Sequence, residues 1–237
     1  MCFYTSNSKR AMALTKRYGV KQADFIEIAK EIIEEKYKMT AFTHPSCPII
    51  TNTNKIEIAK WGLIPNRTKT LEKANKIKKM CLNARAETVF DLPSFCVPIM
   101  SERCLIPVTV FFEFHHSGKS VIPYYIFLKE EEIFSLGGLY DCWENPATHE
   151  ISKTFTVITT PANELCAQIH NGGKNPFRMP LIISRKDEYQ WLDNSMKTND
   201  IQQFFKPFDK DKMTAYPVSK DFIKKSPDDP SIIEKAA

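Results

Sequence analysis

Glycine is scarce, with seven residues in a chain of 237, which excludes collagen-like or glycine-linker architecture and argues against a phosphate-cradling glycine loop. No apolar run approaches the roughly 18 residues of a membrane span. The first ten residues, Met1 to Arg10, lack the apolar stretch of a secretory leader. Cysteines are an odd seven, at positions 2, 47, 81, 96, 104, 142 and 166, with no CxxC pair, so neither a disulfide framework nor a zinc knuckle fits. His44, His115, His116 and His149 show no ligand spacing, and no metal or cofactor is expected. The expectation is a cytoplasmic monomer in a reducing compartment, away from membranes.

What is present is enough for a real core: 43% of residues are hydrophobic and sixteen are Phe. The net charge of +5 is unevenly placed. Between Asn52 and Lys79, eight basic side chains, including Lys78 and Lys79, face two acidic ones, so the remainder of the chain is near neutral. Such a stretch suits contact with a phosphate backbone, and equally suits a solvated lysine face.

Periodicity predicts an amphipathic helix over Lys21 to Tyr37, a loop over Ala41 to Ile50, a strand over Glu57 to Leu63, a loop or weak helix over Asn66 to Met80, and a short helix within Pro93 to Glu102. Strands are predicted over Arg103 to Phe114, Tyr124 to Lys129, Ile133 to Leu139, Thr154 to Thr160 and Met179 to Ser184. Glu130 to Glu132 is read as a hairpin turn, and Thr160-Pro161 as the start of a helix reaching about His170. The prediction is a single α+β domain over 1–224, built on a curved, mostly antiparallel and barrel-like sheet with flanking helices, with a loosely held tail over 225–237.

The chemistry starts at Cys2. A methionine aminopeptidase removes Met1 when the second residue is small, leaving a cysteine with its own α-amine. That amine has a pKa of roughly 7.7–8.0, so much of it is unprotonated at neutral pH. A 1,2-aminothiol attacks an aldehyde through nitrogen to give a Schiff base, and the adjacent thiol closes a five-membered thiazolidine in an effectively unimolecular step.

Five segments accompany Cys2 in order: Trp61 to Pro65 (WGLIP), Asn83 to Thr88 (NARAET), Arg103 to Pro107 (RCLIP), Phe112-Glu113-Phe114, and Ile169-His170 followed by Arg178-Met179-Pro180. Together they closely resemble the SRAP (SOS-response-associated peptidase) family of abasic-site processing proteins, over about Cys2 to Ser184. The resemblance implies covalent capture of abasic sites in single-stranded DNA through Cys2. It also implies β-elimination beside the lesion, self-reversal of the cross-link and, in an older proposal, thiol autopeptidase activity. Catalytic roles fall to Cys2, Asn83, Glu113 and His170. Asn83 would hold the cysteine and the opened sugar through both ends of its amide. Glu113, embedded in an apolar strand, should be desolvated and suited to proton transfer. His170 would assist sugar opening and Schiff-base formation.

DNA contacts are expected from Arg85, Trp61, Arg178, Tyr4, Lys78 and Lys79. Arg85 could grip phosphate or pair with Glu87, Trp61 could stack on a base or fill the core, and Arg178 could meet phosphate or brace its loop. Two departures from the family pattern stand out. Phe3-Tyr4 follows Cys2 where Gly-Arg is common, and the usual His-x-Arg-Met-Pro is expanded to run from His170 to Pro180. A thiol peptidase or amidohydrolase using the terminal cysteine, and a non-covalent single-stranded-DNA module, remain alternatives at this point.

Overall fold

A computed structural model describes residues 2–7, 11–19, 36–53 and 55–236. In chain order its strands are β1 (Tyr4–Asn7), β2 (Lys36–Thr40), β3 (Ser46–Ile50), β4 (Ile56–Trp61), β5 (Asn83–Arg85), β6 (Arg103–Val108) and β7 (Val110–Ser117). They continue with β8 (Ser120–Leu128), β9 (Phe134–Glu144), β10 (Ile151–Pro161), β11 (Arg178–Pro180), β12 (Ile182–Ile183) and β13 (Met213–Pro217). The α-helices are short: α1 (Ala11–Tyr18), α2 (Leu71–Met80), α3 (Pro98–Ser101), α4 (Glu164–Ile169), α5 (Glu188–Trp191) and α6 (Thr198–Gln202).

Pairing runs β10-β4-β3-β6-β9 and returns to β10, closing a five-stranded barrel. All of these pairs are antiparallel except β10 with β4, and β5 adds to β10 in parallel as well. Gly137 and Gly138 allow β9 to be flanked this closely. A Cβ at Gly138 would lie 2.6 Å from the Thr156 carbonyl oxygen, and one at Gly137 would lie 2.8 Å from Leu181 Cδ2. The second sheet is antiparallel throughout, in the order β13-β8-β7-β1-β2. Phe111 and Ile126 of this sheet pack with Trp61, Phe134 and Phe155 of the barrel in one buried cluster, which also takes in Cys2. Each such side chain contributes about 1.5–3 kcal/mol by leaving water. The α+β, barrel-like reading of the sequence is the architecture observed.

Several local expectations are corrected. The strand predicted over Arg103 to Phe114 is two strands in two different sheets. The chain crosses at Thr109, whose backbone N–H donates to Ser6 O at 3.0 Å. β6 is buried along its whole length, so period-two patterning had nothing to register. Glu130 to Glu132 does not close a hairpin, because β8 lies in the second sheet and β9 in the barrel. The predicted loop at Ala41 to Ile50 contains a 3-10 turn at Ala41–Thr43 and then β3. Pro48 is tolerated there because β3 meets β6 only at Ile50. Thr160-Pro161 ends β10 rather than starting a helix, and α4 is capped by Asn163, whose Oδ1 accepts from Cys166 N at 2.8 Å. The helix predicted over Lys21 to Tyr37 lies outside the described residues except for Lys36 and Tyr37, which open β2.

The tail is docked, not loose. Ile232 is buried against Phe222 and Val218, the Tyr216 hydroxyl donates to Ile233 O at 2.8 Å, and Lys235 bridges to Val218. Lys38 fastens the segment before it. Its buried ammonium donates to the carbonyls of Phe222 (2.8 Å), Ile223 (3.0 Å) and Lys225 (2.6 Å). Lys38→Met leaves three carbonyls without their donor. It is expected to cost about 2 kcal/mol in denaturant unfolding and to admit protease within 225–236 before the barrel opens. A global unfolding curve and cleavage pattern matching the parent would refute that anchoring role.

Candidate active site

β1 lies between β2 and β7, with Tyr4 opposite Phe112 and Thr5 opposite Phe111. Phe3 and Glu113 line one cleft, and Cys2 lies within electrostatic reach of Glu113. Phe3 O accepts from Ala41 N at 2.9 Å, which ties this end of the chain to the 3-10 turn. Cys2 is 0% exposed, and its thiol donates a long contact to Tyr4 O at 3.9 Å. Burial, reinforced by Glu113, pushes the thiol far above its ordinary value, so it is fully protonated in the chain that still carries Met1.

Glu113 is 2% exposed on β7, paired with Tyr124 of β8. Burial raises its carboxyl from 4.5 to about 8, and Oε1 has no hydrogen-bond partner among the described residues. His170 ends α4, is 7% exposed, and places Nε2 at 3.8 Å from Glu113 Oε2. Burial lowers the imidazole from 6.5 to about 4. The shorter contact of Nδ1, 2.9 Å to Arg178 O, assigns the proton to Nδ1 and leaves Nε2 the acceptor nitrogen towards Glu113. At pH 7 the pair is therefore a neutral acid beside a neutral base, with environments that set their pKa values apart. Both line a cleft of about 470 Å³ whose other walls are Phe3, Tyr4, Phe42, Phe114, His116, Val121, Ile223 and residues 172–175.

Asn83 begins β5, opposite Val157 of β10. Both polar atoms of its amide are buried and unpartnered among the described residues, an uncommon arrangement that suits an amide awaiting a ligand. Arg85, two residues on, is exposed, and its guanidinium donates to the side chain of Asn175 in the cleft wall, not to Glu87. Glu87 instead takes a two-pronged ion pair from Arg178, which is 8% exposed and also donates to Thr159 O at 2.6 Å. The phosphate contact considered for Arg178 is thus corrected to a brace between β11, β10 and the NARAET segment.

Trp61 is likewise no stacking platform. It is buried against Phe155 at 5.6 Å, and its indole N–H donates to Leu82 O at 2.8 Å. Gly62 beside it has φ 115°, and a Cβ there would lie 2.8 Å from Lys78 O, so this segment of WGLIP seats α2 against the barrel. Lys79 is exposed and Lys78 half-buried near His44, whose Nδ1 contacts Trp61 O at 2.8 Å. Tyr4 lines the cleft and packs edge-on to Phe42, Phe114 and Phe222.

Cys2, Glu113, His170 and Tyr4 are therefore brought together, while Trp61 and Arg178 are spent on packing. Phe42, 57% exposed, His116 and Lys174 complete the cleft without a signal in the sequence, because pairing across two sheets and one loop assembles them. Among the described residues no group of three or more His, Cys, Asp or Glu is arranged to hold a metal ion, and no helix is long and apolar enough to cross a membrane.

Between pH 4.5 and about 8 the folded chain keeps a proton on Glu113 that the unfolded chain has released, so stability falls as pH rises through that window. His170 acts oppositely lower down, its contribution being lost as pH falls from 6.5 towards about 4. From pH 6.5 to 8, therefore, Glu113→Gln should lose less melting temperature than the parent chain. Parallel melting curves for the two proteins over that range would overturn the assignment of a buried neutral acid.

A family model described as SOS response associated peptidase (SRAP) matches residues 1–225. The abasic site processing protein YoqW of Bacillus subtilis is 36% identical over 208 residues, covering 85% of this chain and 88% of the relative. The abasic site processing protein HMCES of Gallus gallus is 27% identical, covering 68% of this chain and 51% of that protein. A crystal structure of a protein from Bacteroides thetaiotaomicron superimposes with a TM-score of 0.94 at 45% identity, with full coverage of both chains. One from Bordetella bronchiseptica reaches a TM-score of 0.71 at 21% identity over 92% of this chain, a likeness of fold.

Proposed function

The chain belongs to the SOS response associated peptidase family, and from that premise we propose that it processes abasic sites in single-stranded DNA by covalent capture through Cys2. One observation carries the reading. A buried, neutral Glu113 stands beside His170 at the floor of an open cleft, and it is electrostatically coupled to the thiol of the second residue.

While Met1 is attached the nitrogen of Cys2 is an amide and its thiol is buried and protonated, so this form is dormant. Removing Met1 creates the α-amine. An abasic deoxyribose must first open. His170 Nε2 accepts the proton of the C1 hydroxyl while Glu113 supplies one to the departing ring oxygen. The amine then adds to the C1 aldehyde as the carbonyl oxygen takes the proton held by His170 and the nitrogen gives one back to the Glu113 carboxylate. Glu113, protonated again, passes that proton to the new hydroxyl, which leaves as water and gives a Schiff base. Sulfur adds to the same carbon as the thiol proton passes to the carboxylate or imidazole. The ring closes as a thiazolidine, so that aldehyde and aminothiol become ring and one water. Asn83, with donor and acceptor both unsatisfied, suits the hydroxyls of the opened sugar. Phe3, Phe42 and Phe114 give the cleft an apolar wall suited to sugar and base faces.

The test uses chain shown by intact mass to have lost Met1, incubated with an oligonucleotide carrying one abasic site. A denaturation-resistant adduct is expected, with its rate falling as pH rises and the buried Glu113 ionises; Glu113→Gln is slower and lacks that fall. Cys2→Ala keeps an amine, so borohydride should trap a transient Schiff base while the stable adduct disappears. An undiminished stable adduct in Cys2→Ala, or complete retention of Met1 in an adduct-forming protein, would eliminate the mechanism.

A further inference from the structure

The chain between α4 and β11 is built into the cleft, and the chemistry above leaves it without a task. Asn171 fixes its start with both ends of its amide: Oδ1 accepts from His116 N at 2.8 Å and Nδ2 donates to His116 O at 3.1 Å. Its far end is closed by Phe177 N donating to His170 O at 2.8 Å. Gly172 rests on the His116 ring, where a Cβ would lie 2.5 Å from Cγ, and Gly173 has φ 83°. The loop therefore presents Lys174 and Asn175 to the cleft from a backbone that other residues would not permit.

Charge adds the second observation. Arg85 joins this wall through the side chain of Asn175, and Lys174 is exposed at the cleft. Glu87, within electrostatic reach of Arg85, is held by both prongs of Arg178. Among the described residues neither Lys174 nor Arg85 forms an ion pair with a carboxylate. Lys174 thus lines the cleft, and Arg85 adjoins it behind Asn175, while Glu113, whose Oε1 is unpartnered among the described residues, lines the same cleft. The arginine of the adjoining strand is turned away into the fold.

We propose that this loop is a phosphodiester clamp, in which Lys174, beside the Arg85 already expected at phosphate, adds the cation that holds the strand's backbone phosphate next to the reactive carbon. The assignment rests on the single-stranded-DNA reading above. It gives the seven residues between His170 and Arg178 a function: they bring a cation, Lys174, to the cleft wall, while Arg178 on β11 is committed to Glu87. Arg85 supplies a planar fork and Lys174 a mobile point charge.

The clamp is tested by fluorescence anisotropy with an undamaged single-stranded oligonucleotide across a salt series. Lys174→Ala should weaken binding about ten-fold at low salt and reduce the slope of log affinity against log salt by about 0.7, the signature of one lost phosphate contact. Lys174→Arg should restore both. Lys186→Ala removes the same charge from an exposed position outside the cleft and should change neither. An unchanged slope in Lys174→Ala, or an equal loss in Lys186→Ala, overturns the clamp. Adduct formation with an abasic oligonucleotide is scored in parallel. Adduct with an unaltered slope condemns the clamp alone, whereas a reduced slope without any wild-type adduct upholds the clamp and condemns the covalent chemistry.

Discussion

The withdrawal of one carboxyl group from water organises the site. Glu113 is 2% exposed on β7, a strand flanked by β1 on one side and β8 on the other. An ionised carboxylate there would lack the solvation that holds a free glutamic acid near 4.5, and so the group keeps its proton to about 8. The same enclosure works on His170 with the opposite sign, because for an imidazole the charged form is the protonated one. One physical cause thus yields a neutral acid and a neutral base 3.8 Å apart. The thiol of Cys2 shares the environment and stays protonated for the same reason.

The architecture holds these groups through two sheets that meet over a common core. β1 delivers Cys2 alongside β7, while the barrel strand β10 leads into α4 and so to His170. Arg178, Glu87 and Thr159 lock β11, the NARAET segment and β10 to each other just behind that histidine. Arg103 plays a comparable part on the other side of the barrel, where its buried guanidinium donates to the carbonyls of Ile99, Met100, Trp191 and Asp193. In both places an arginine within a recognisable motif serves to bind backbone oxygen inside the fold, a use that its charge alone does not suggest.

How far the sequence could be read depended on whether a signal was local. Cys2, Glu113 and His170 carry chemistry that is visible residue by residue, and an acid within Val110 to Phe114 already implied desolvation. The fold class was legible from the density of β-branched and aromatic segments. The division of Arg103 to Phe114 between two sheets was not, since strands covered on both faces lose their alternation. Arg85 and Arg178 are alike on paper, and only the pairing of β5 and β11 on opposite sides of β10 decides which one claims Glu87. The docking of the last dozen residues was hidden by their prolines and lysines. It depends on Lys38, almost two hundred positions away in sequence.

That anchoring reaches further than the end of the chain. Ile223, whose carbonyl Lys38 grips, also forms part of the rim beside Val121 and Phe114. The cleft is consequently lined both by Phe3 and Tyr4 and by Ile223, residues more than two hundred positions apart. A bulky label placed near Phe3 or Ile223 would therefore tug on the walls of the reaction vessel itself, and an internal surface loop such as 145–150 offers the gentler place for one.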